Sequence, residues 1–385
     1  MPSVRRAGAV AAVIAPAALA YRFALVYRAR AGFPRRRLPS VTPADLGLPF
    51  ESTSVGSAAG GLPAWFIPAR GGASGPGVVL LHGWESGRDR TLPHAAFLHA
   101  AGFHVLTLDV RGHGANPPEA LPITGGEFGA DAAAGLDAII ARPEVTVAAI
   151  LGHSLGGDGA LIAGAGHPGA SAIVSVSAPA DPYRLTRLTF RLARLPLPDP
   201  IAYPLAAITA HLFVRPRHHR LRQVSATIAA RRYPGPLLLV HGSADEVVPL
   251  AHLAHLVAAA RAGRRTRPNA APVETYIVQG GAHSWLYEHE DYRRVVAAFL
   301  ARSLGGPFTP AEAAERAAGV DARRLPEQEQ PFAGVPVPHT RLRTVAEILG
   351  APVRAPSLAP DPPLPAGTAK GGTRTLVATE PGTPS

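Results

Sequence analysis

The sequence of 385 residues has no cysteine and only one lysine, Lys370. The absence of cysteine excludes a disulfide framework and any metal site built on thiolates. It does not assign the protein to a compartment. Arginine supplies nearly all of the positive charge, and the excess of arginine, alanine, proline and glycine is typical of GC-rich coding. Arginine abundance by itself therefore says little about function.

Acidic residues are missing from the first 37 residues, which carry eight arginines. Because the net charge is +11, the rest of the chain carries only 11 − 8 = +3. A second basic region, 181–234, holds ten arginines, but no basic stripe interleaved with aromatic residues and no known nucleic-acid motif is present. We therefore expect no nucleic-acid partner. The sequence gives no indication of the oligomeric state.

Residues 7–27 form an apolar stretch that is interrupted only by Arg22. Its length suits a membrane-spanning helix, and five arginines lie after it against two before it, which favours a cytoplasmic position for the C-terminal side. We predict that 1–37 is an uncleaved membrane anchor with a basic flank, with the remaining chain in the cytoplasm. Two alternatives stay open. One is an exported protein whose signal peptide is cleaved near 18–20, and the other is an alanine-rich surface helix.

Short apolar runs alternate with helical patterns between residues 48 and 303. Most runs are apolar on both faces, as in the strands of a covered parallel sheet. The alternation predicts an α/β fold with a mostly parallel sheet and helices on both faces, and the first two strands are expected to form an antiparallel hairpin. The predicted strands are 50–55, 62–67, 77–82, 103–109, 145–151, 172–177, 236–241 and 273–278. The predicted helices are 90–101, 127–141, 155–166, 249–262 and 289–303.

Two segments break this alternation. Almost sixty residues separate the strands on either side of 181–234, too many for a simple crossover, and leucines recur there at helical spacing beside arginines. We predict a helical cap inserted over the carboxyl edge of the sheet. Residues 304–385 contain 14 prolines and are predicted to be a largely disordered tail. Capping-box patterns at 309–312 and 344–347 indicate two short helices within it.

The segment Gly152-His153-Ser154-Leu155-Gly156 lies between the apolar run 145–151 and a helical pattern of small residues. A nucleophilic serine needs an exposed position, a base and donors for the developing oxyanion. A sharp strand-to-helix turn exposes Ser154, and flanking glycines permit such a turn. The N–H of Leu155 is then one oxyanion donor. The N–H of Trp84, in the loop after the third strand, is the candidate for the second.

Five motifs carry a family resemblance. Because of these five motifs, which are given at the end of this paragraph, the segment 48–303 resembles the esterase- and lipase-like serine hydrolases of the α/β-hydrolase superfamily. The resemblance implies a triad with Ser154 as nucleophile, Asp245 as acid and His283 as base. That chemistry needs no cofactor and no metal. The motifs are LLHGWESGRDR at 80–90, LDVRGHGANP at 108–117, LGHSLGG at 151–157, LLVHGSADEVVP at 238–249 and GGAHSW at 280–285.

The residue pattern supports the same three positions. Asp245 and His283 each come just after a predicted strand, so a parallel sheet places them at the edge where Ser154 lies. Imidazole has the near-neutral pKa that a general base needs. The acid has two alternatives, Asp181 at the end of the preceding strand and Glu246.

Other histidines of the motifs are interpreted as structural. His82 and His113 are expected to hold turns, and His153 is expected to pack away from the site. The pair at 218–219 has no acidic partner at metal-ligand spacing, so we predict no metal site.

The sequence therefore predicts a serine hydrolase that cleaves a carboxylic ester. A basic amphipathic cap on a membrane-anchored chain could lie against anionic lipid, which suggests a small-molecule or lipid-like ester as the substrate. The alternative interpretation is that the leucines of the cap pack on the catalytic domain and its arginines are solvated. The alternatives are an acyltransferase or a serine peptidase with the same triad, and a non-catalytic membrane-associated protein on a hydrolase fold.

Overall fold

A computed structural model describes residues 32–58, 60–180 and 221–323, with the isolated positions 204, 208 and 219. The strands are β1 (Glu51–Ser57), β2 (Gly60–Ile67), β3 (Gly75–Leu81), β4 (His104–Leu108), β5 (Val145–His153), β6 (Ala170–Val176), β7 (Leu237–Gly242) and β8 (Val273–Val278). The α-helices of the described residues are α1 (Leu92–Ala100), α2 (Gly125–Ile140), α3 (Leu155–Gly166), α4 (Ala226–Arg232), α5 (Ala251–Arg265), α6 (Glu290–Leu304) and α7 (Pro310–Ala318). Every strand and helix predicted between 48 and 303 outside the cap is found, with ends shifted by a few residues.

The eight strands form one sheet in the order β1-β2-β4-β3-β5-β6-β7-β8. The pairs β1–β2 and β2–β4 are antiparallel, and the others are parallel. The predicted hairpin and the mostly parallel sheet are therefore confirmed. Because β3 and β5 to β8 run in the same direction, their carboxyl ends share one edge, and the loops after these strands meet there.

Both faces of the sheet are covered by helices. In β3, Val79 and Leu81 point into one apolar core while Val78 and Leu80 point into the other, and all four are fully buried. The first core is completed by α2, α3, α4 and α5, and the second by α1, α6 and α7. This double burial explains why the central strands carry apolar residues on both faces.

Two predicted boundaries are wrong. Helix α4 falls inside 181–234, yet its Ala229 and Ala230 are buried in the same core as α3 and α5, so the domain resumes before residue 234. Helix α7 falls inside 304–385, yet it packs on α6 with Ala313 and Ala317 buried. Helix α4 is short and rich in alanine. Helix α7 is the one that the capping box at 309–312 indicated, but its packing on α6 was not predicted.

The remaining residues of the predicted cap and tail lie outside the described residues. So does the predicted anchor at 7–27. Within the part of the chain that the structure describes, no helix is both long and apolar enough to cross a bilayer.

Candidate active site

Ser154 occupies the turn between β5 and α3. Its backbone angles, φ 56° and ψ −123°, belong to a region that non-glycine residues rarely adopt, at a cost of about 1–3 kcal/mol. The neighbouring glycines make the turn sterically possible. A Cβ on Gly152 would overlap the carbonyl of Gly156, and a Cβ on Gly156 would lie 2.5 Å from the carbonyl oxygen of His82.

The structure brings together the three residues of the predicted triad. Nδ1 of His283 lies 2.8 Å from Oδ2 of Asp245, and Nε2 lies 3.1 Å from Oγ of Ser154. Because a carboxylate only accepts, Nδ1 carries the proton, and Nε2 is free to accept the serine hydroxyl proton. The three residues come after β5, β7 and β8, whose carboxyl ends share one edge. This is the arrangement in which imidazole acts as a base towards serine and an aspartate orients the ring.

Asp245 is buried and surrounded by donors. Its Oδ1 accepts the N–H groups of Val247 and Val248 at 2.9 and 2.7 Å, and its Oδ2 lies 3.3 Å from Nε2 of His241. Burial raises the pKa of this carboxyl, but the contacts with His241 and His283 outweigh burial and hold the pKa well below its ordinary value. Asp245 is therefore ionised at neutral pH and stabilises a protonated imidazole.

His241 is a part of the site that the sequence did not reveal. It lies on β7, is fully buried, and places Nε2 2.7 Å from the carbonyl oxygen of Val248. The only sequence signal was a histidine four residues before Asp245. The two alternative acids are placed differently, since Glu246 is exposed and Asp181 lies outside the described residues.

The two residues predicted as oxyanion donors lie beside the nucleophile. Leu155 is the first residue of α3, and an N–H in the first turn of a helix has no intrahelical acceptor. Trp84 is next to Gly83, where a Cβ would lie 3.1 Å from Cβ of Ser154. The loop after β3 therefore approaches the serine closely. The donor role of the two amides stays a prediction.

His82 and His113 hold turns near the site, as the sequence predicted. His82 donates from Nδ1 to the carbonyl of Gly83 (2.8 Å) and accepts from the N–H of Val110 at Nε2 (3.0 Å). It thereby connects the loop carrying Trp84 to the loop after β4. Burial lowers the pKa of both histidines, that of His113 to about 3, so both are neutral.

His153 does not pack away from the site, and that prediction is wrong. Its Nε2 lies 2.7 Å from the carbonyl oxygen of His283, and the two rings lie 4.9 Å apart. Burial and the neighbouring His283 lower the pKa of His153 to about 4, so the ring is neutral and donates to the carbonyl. The segment carrying the base returns over the end of β5 from 130 residues further along the chain, which no local pattern shows.

Metal ligands are not assembled in the described part of the chain, where no group of three or more histidine, aspartate or glutamate side chains is arranged around a common point. His219 contacts Glu127 at 3.2 Å. Glu127 in turn accepts from Thr124 in the capping box of α2. This histidine therefore contributes to a contact between its segment and the start of a helix.

A family model described as "Serine aminopeptidase, S33" matches residues 75–198. An uncharacterized protein of Mycobacterium tuberculosis is 30% identical over 244 residues, which cover 63% of this chain and 76% of that protein. The chain belongs to the α/β-hydrolase superfamily.

Solved structures of this α/β-hydrolase fold include both esterases and peptidases. An esterase of Pyrococcus furiosus superposes with a TM-score of 0.56 at 22% identity, covering 71% of this chain and 99% of the esterase. An acylaminoacyl peptidase of Pyrococcus horikoshii superposes with a TM-score of 0.51 at 17% identity, covering 68% of this chain and 42% of the peptidase. At these identities the likeness establishes the fold, and the α/β-hydrolase fold alone does not select the substrate.

Proposed function

We propose that this protein is a carboxylic ester hydrolase that acts through an acyl-enzyme on Ser154. The observation that carries the proposal is the chain of hydrogen bonds from Asp245 through His283 to Ser154. In the first step, Oγ of Ser154 attacks the ester carbonyl while Nε2 of His283 takes its proton. The negative charge that develops on the carbonyl oxygen is stabilised by the N–H groups of Leu155 and Trp84.

The second half of the reaction uses the same groups in the opposite direction. Protonated His283 gives its proton to the departing alkoxide, which leaves as an alcohol. Neutral His283 then takes a proton from water, and the resulting hydroxide attacks the acyl-serine. His283 returns this proton to Oγ of Ser154 as the bond between Oγ and the acyl carbon breaks and a carboxylic acid leaves. Asp245 remains ionised throughout, because its pKa is held well below neutrality.

An apolar acyl group fits the surroundings of the nucleophile. Leu155 follows Ser154 directly, and Trp84 follows Gly83, whose backbone approaches the serine. The side chains of Trp84 and Leu155 are only partly buried and pack on the core beneath them. Apolar surface left accessible beside a nucleophile favours the binding of a hydrocarbon chain, by about 25 cal/mol for each Å² covered. We therefore propose a hydrophobic acyl ester as the substrate class, with lipid-like esters included.

A serine aminopeptidase is the second candidate, and the description of the matching family model favours it. Such an enzyme needs a carboxylate to hold the substrate ammonium group. Two buried carboxylates at this edge already accept protein donors, Glu85 from the N–H of Arg35 and Glu127 from Thr124 and His219. Neither of these two carboxylates is therefore free to hold the substrate ammonium group, and the substrate series described next decides between the two activities.

The test is labelling with a fluorophosphonate probe and then a substrate series. The wild type should label and Ser154→Ala should not. Equal labelling of the two would refute Ser154 as the nucleophile. The wild type should prefer p-nitrophenyl esters of medium or long acyl chains to aminoacyl p-nitroanilides. A sharp preference for acetyl esters would contradict the hydrophobic acyl group, and faster anilide cleavage would favour the peptidase. Transfer of the acyl group to an added alcohol, rather than to water, would identify an acyltransferase.

We further propose that the protein is anchored to a membrane through 7–27, with the hydrolase domain on the cytoplasmic side. The length of this apolar segment and the arginines after it support the proposal. The described chain begins at Gly32, whose carbonyl accepts the N–H of Ile123 just before α2, so the chain enters the domain at the edge that holds the triad. Retention in the membrane fraction after an alkaline wash is the expected result, and a shortened mature protein in the soluble fraction would contradict it.

A further inference from the structure

The chain ahead of β1 crosses the loop that carries Trp84. Residues 33–41, here called the strap, have no regular secondary structure over most of their length and pass over residues 82–89, here called the oxyanion loop. The strap is fixed at both ends. The carbonyl of Gly32 accepts the N–H of Ile123 (2.8 Å), and Val41 is buried in the core beside α1.

Between these ends the strap binds two carboxylates of the oxyanion loop through its main chain. The N–H of Arg35 donates to Oε1 of Glu85 at 3.2 Å, and the N–H of Ser40 donates to Oδ2 of Asp89, also at 3.2 Å. Both carboxylates are buried. A buried carboxylate is costly without hydrogen-bond donors, so these contacts are part of what keeps the two side chains in place.

Glu85 comes directly after Trp84 and has a strained backbone. Its φ of 52° lies in the left-handed region, which costs a non-glycine residue about 1–2 kcal/mol. Such a conformation persists only where surrounding contacts enforce it. The contact between Glu85 and the strap is one such contact, and Trp84, the predicted oxyanion donor, is the residue directly before Glu85.

Position 88 of the oxyanion loop also has a contact outside the strap. Oδ1 of Asp109 accepts the N–H of Arg88 and Oδ2 accepts from its guanidinium, each at 2.7 Å. Asp109 is fully buried. Position 88 is therefore held from the sheet, whereas position 85 is held from the strap.

We propose that Glu85 is a positioning residue for the oxyanion donor at Trp84, and that the strap holds Glu85 in its working conformation. The inference rests on the proposed function, since an oxyanion donor matters only if Ser154 attacks a carbonyl. The strap, which precedes the hydrolase domain, then contributes to catalysis by holding Glu85, although it supplies no group that touches the substrate.

The experiment uses the full chain and two matched pairs of variants. Glu85→Ala removes the acceptor and Glu85→Gln keeps one, while Arg35→Pro removes the donating N–H and Arg35→Ala keeps it. Loss of an oxyanion donor costs about 10²–10³ in kcat, and a displaced donor costs part of that. We expect Glu85→Ala and Arg35→Pro to lower kcat for p-nitrophenyl butyrate by about tenfold or more, with KM nearly unchanged. Glu85→Gln and Arg35→Ala should stay near the wild type.

Hydrogen exchange measured on the same variants separates this inference from the proposed function. Amides of residues 83–89 should exchange faster in Glu85→Ala and Arg35→Pro, while those of β3 stay protected and show that the fold is intact. Unchanged exchange and unchanged kcat in both variants would overturn the inference, as would equal losses of kcat in Glu85→Gln and Glu85→Ala. If the wild type hydrolyses no ester but the exchange of 83–89 responds, the proposed function fails and the contact between strap and loop stands.

Discussion

Replacement of the nucleophile by glycine should stabilise the protein relative to replacement by alanine. Ser154 has φ 56° and ψ −123°, a conformation that glycine adopts freely and that costs alanine about 1–3 kcal/mol. Both variants lose the hydroxyl and its contact with His283, and both are expected to be inactive. The difference between them therefore isolates the backbone strain at this position.

The size of the effect is set by two opposing terms. Relief of strain favours glycine by about 1–3 kcal/mol, whereas the greater freedom of glycine in the unfolded chain favours alanine by about 0.4–1 kcal/mol. We expect Ser154→Gly to be more stable than Ser154→Ala by about 1 kcal/mol, or about 2–4 °C in Tm for a domain of this size.

The assay is urea or thermal unfolding of the two variants under identical conditions. Ser52 provides the control, since it lies exposed in β1 with no left-handed backbone angle. There the order should reverse, with Ser52→Gly less stable than Ser52→Ala. If the stability difference between the glycine and alanine variants is the same at position 154 as at position 52, the strain argument is refuted.

Three other predictions concern the triad, two histidines with lowered pKa values and the end of the domain. Asp245→Asn removes the charge that stabilises protonated His283, so kcat should fall by about 10³–10⁴-fold, and a loss below tenfold would contradict this role. Burial lowers the pKa of His94 to about 3 and of His153 to about 4. Below about pH 6.5 these two histidines therefore bind more protons in the unfolded chain than in the folded protein. Their contribution to stability is complete above that pH and declines towards pH 4, and a urea midpoint that is constant over this range would contradict it. Deletion of 306–385 removes α7 and should lower Tm more than deletion of 325–385, whereas equal values would place α7 outside the domain.

The elements that the sequence predicted correctly are those with a local signal. A buried strand, a glycine-flanked serine and a helix of small residues are consecutive in the chain, so the turn at Ser154 could be predicted directly. Asp245 and His283 each come after a strand, and a parallel sheet brings such positions together at one edge. The hairpin of β1 and β2 was predictable because no helix separates the two runs.

The features that the sequence missed depend on contacts between distant segments. His153 contacts the main chain of His283, 130 residues away, and Arg35 contacts Glu85, 50 residues away. Neither contact can be predicted from the spacing of residues in the sequence. Helix α7 was indicated by its capping box but assigned to the tail, because the prolines of 304–385 favoured disorder and its face of alanines did not show that it packs on α6.

The order of the strands separates the turn at Ser154 from the strands that precede Asp245 and His283. The nucleophile lies at the end of β5, an interior strand with neighbours on both sides, whereas the base comes after β8, which pairs only with β7 at the margin of the described sheet. Side chains of β8 are also less buried than those of β5. Separation of β8 from β7 would move His283 away from Ser154 while the rest of the domain stays folded. Heat inactivation should therefore precede the cooperative melting of the domain, and the catalytic rate would report the integrity of a single strand pairing.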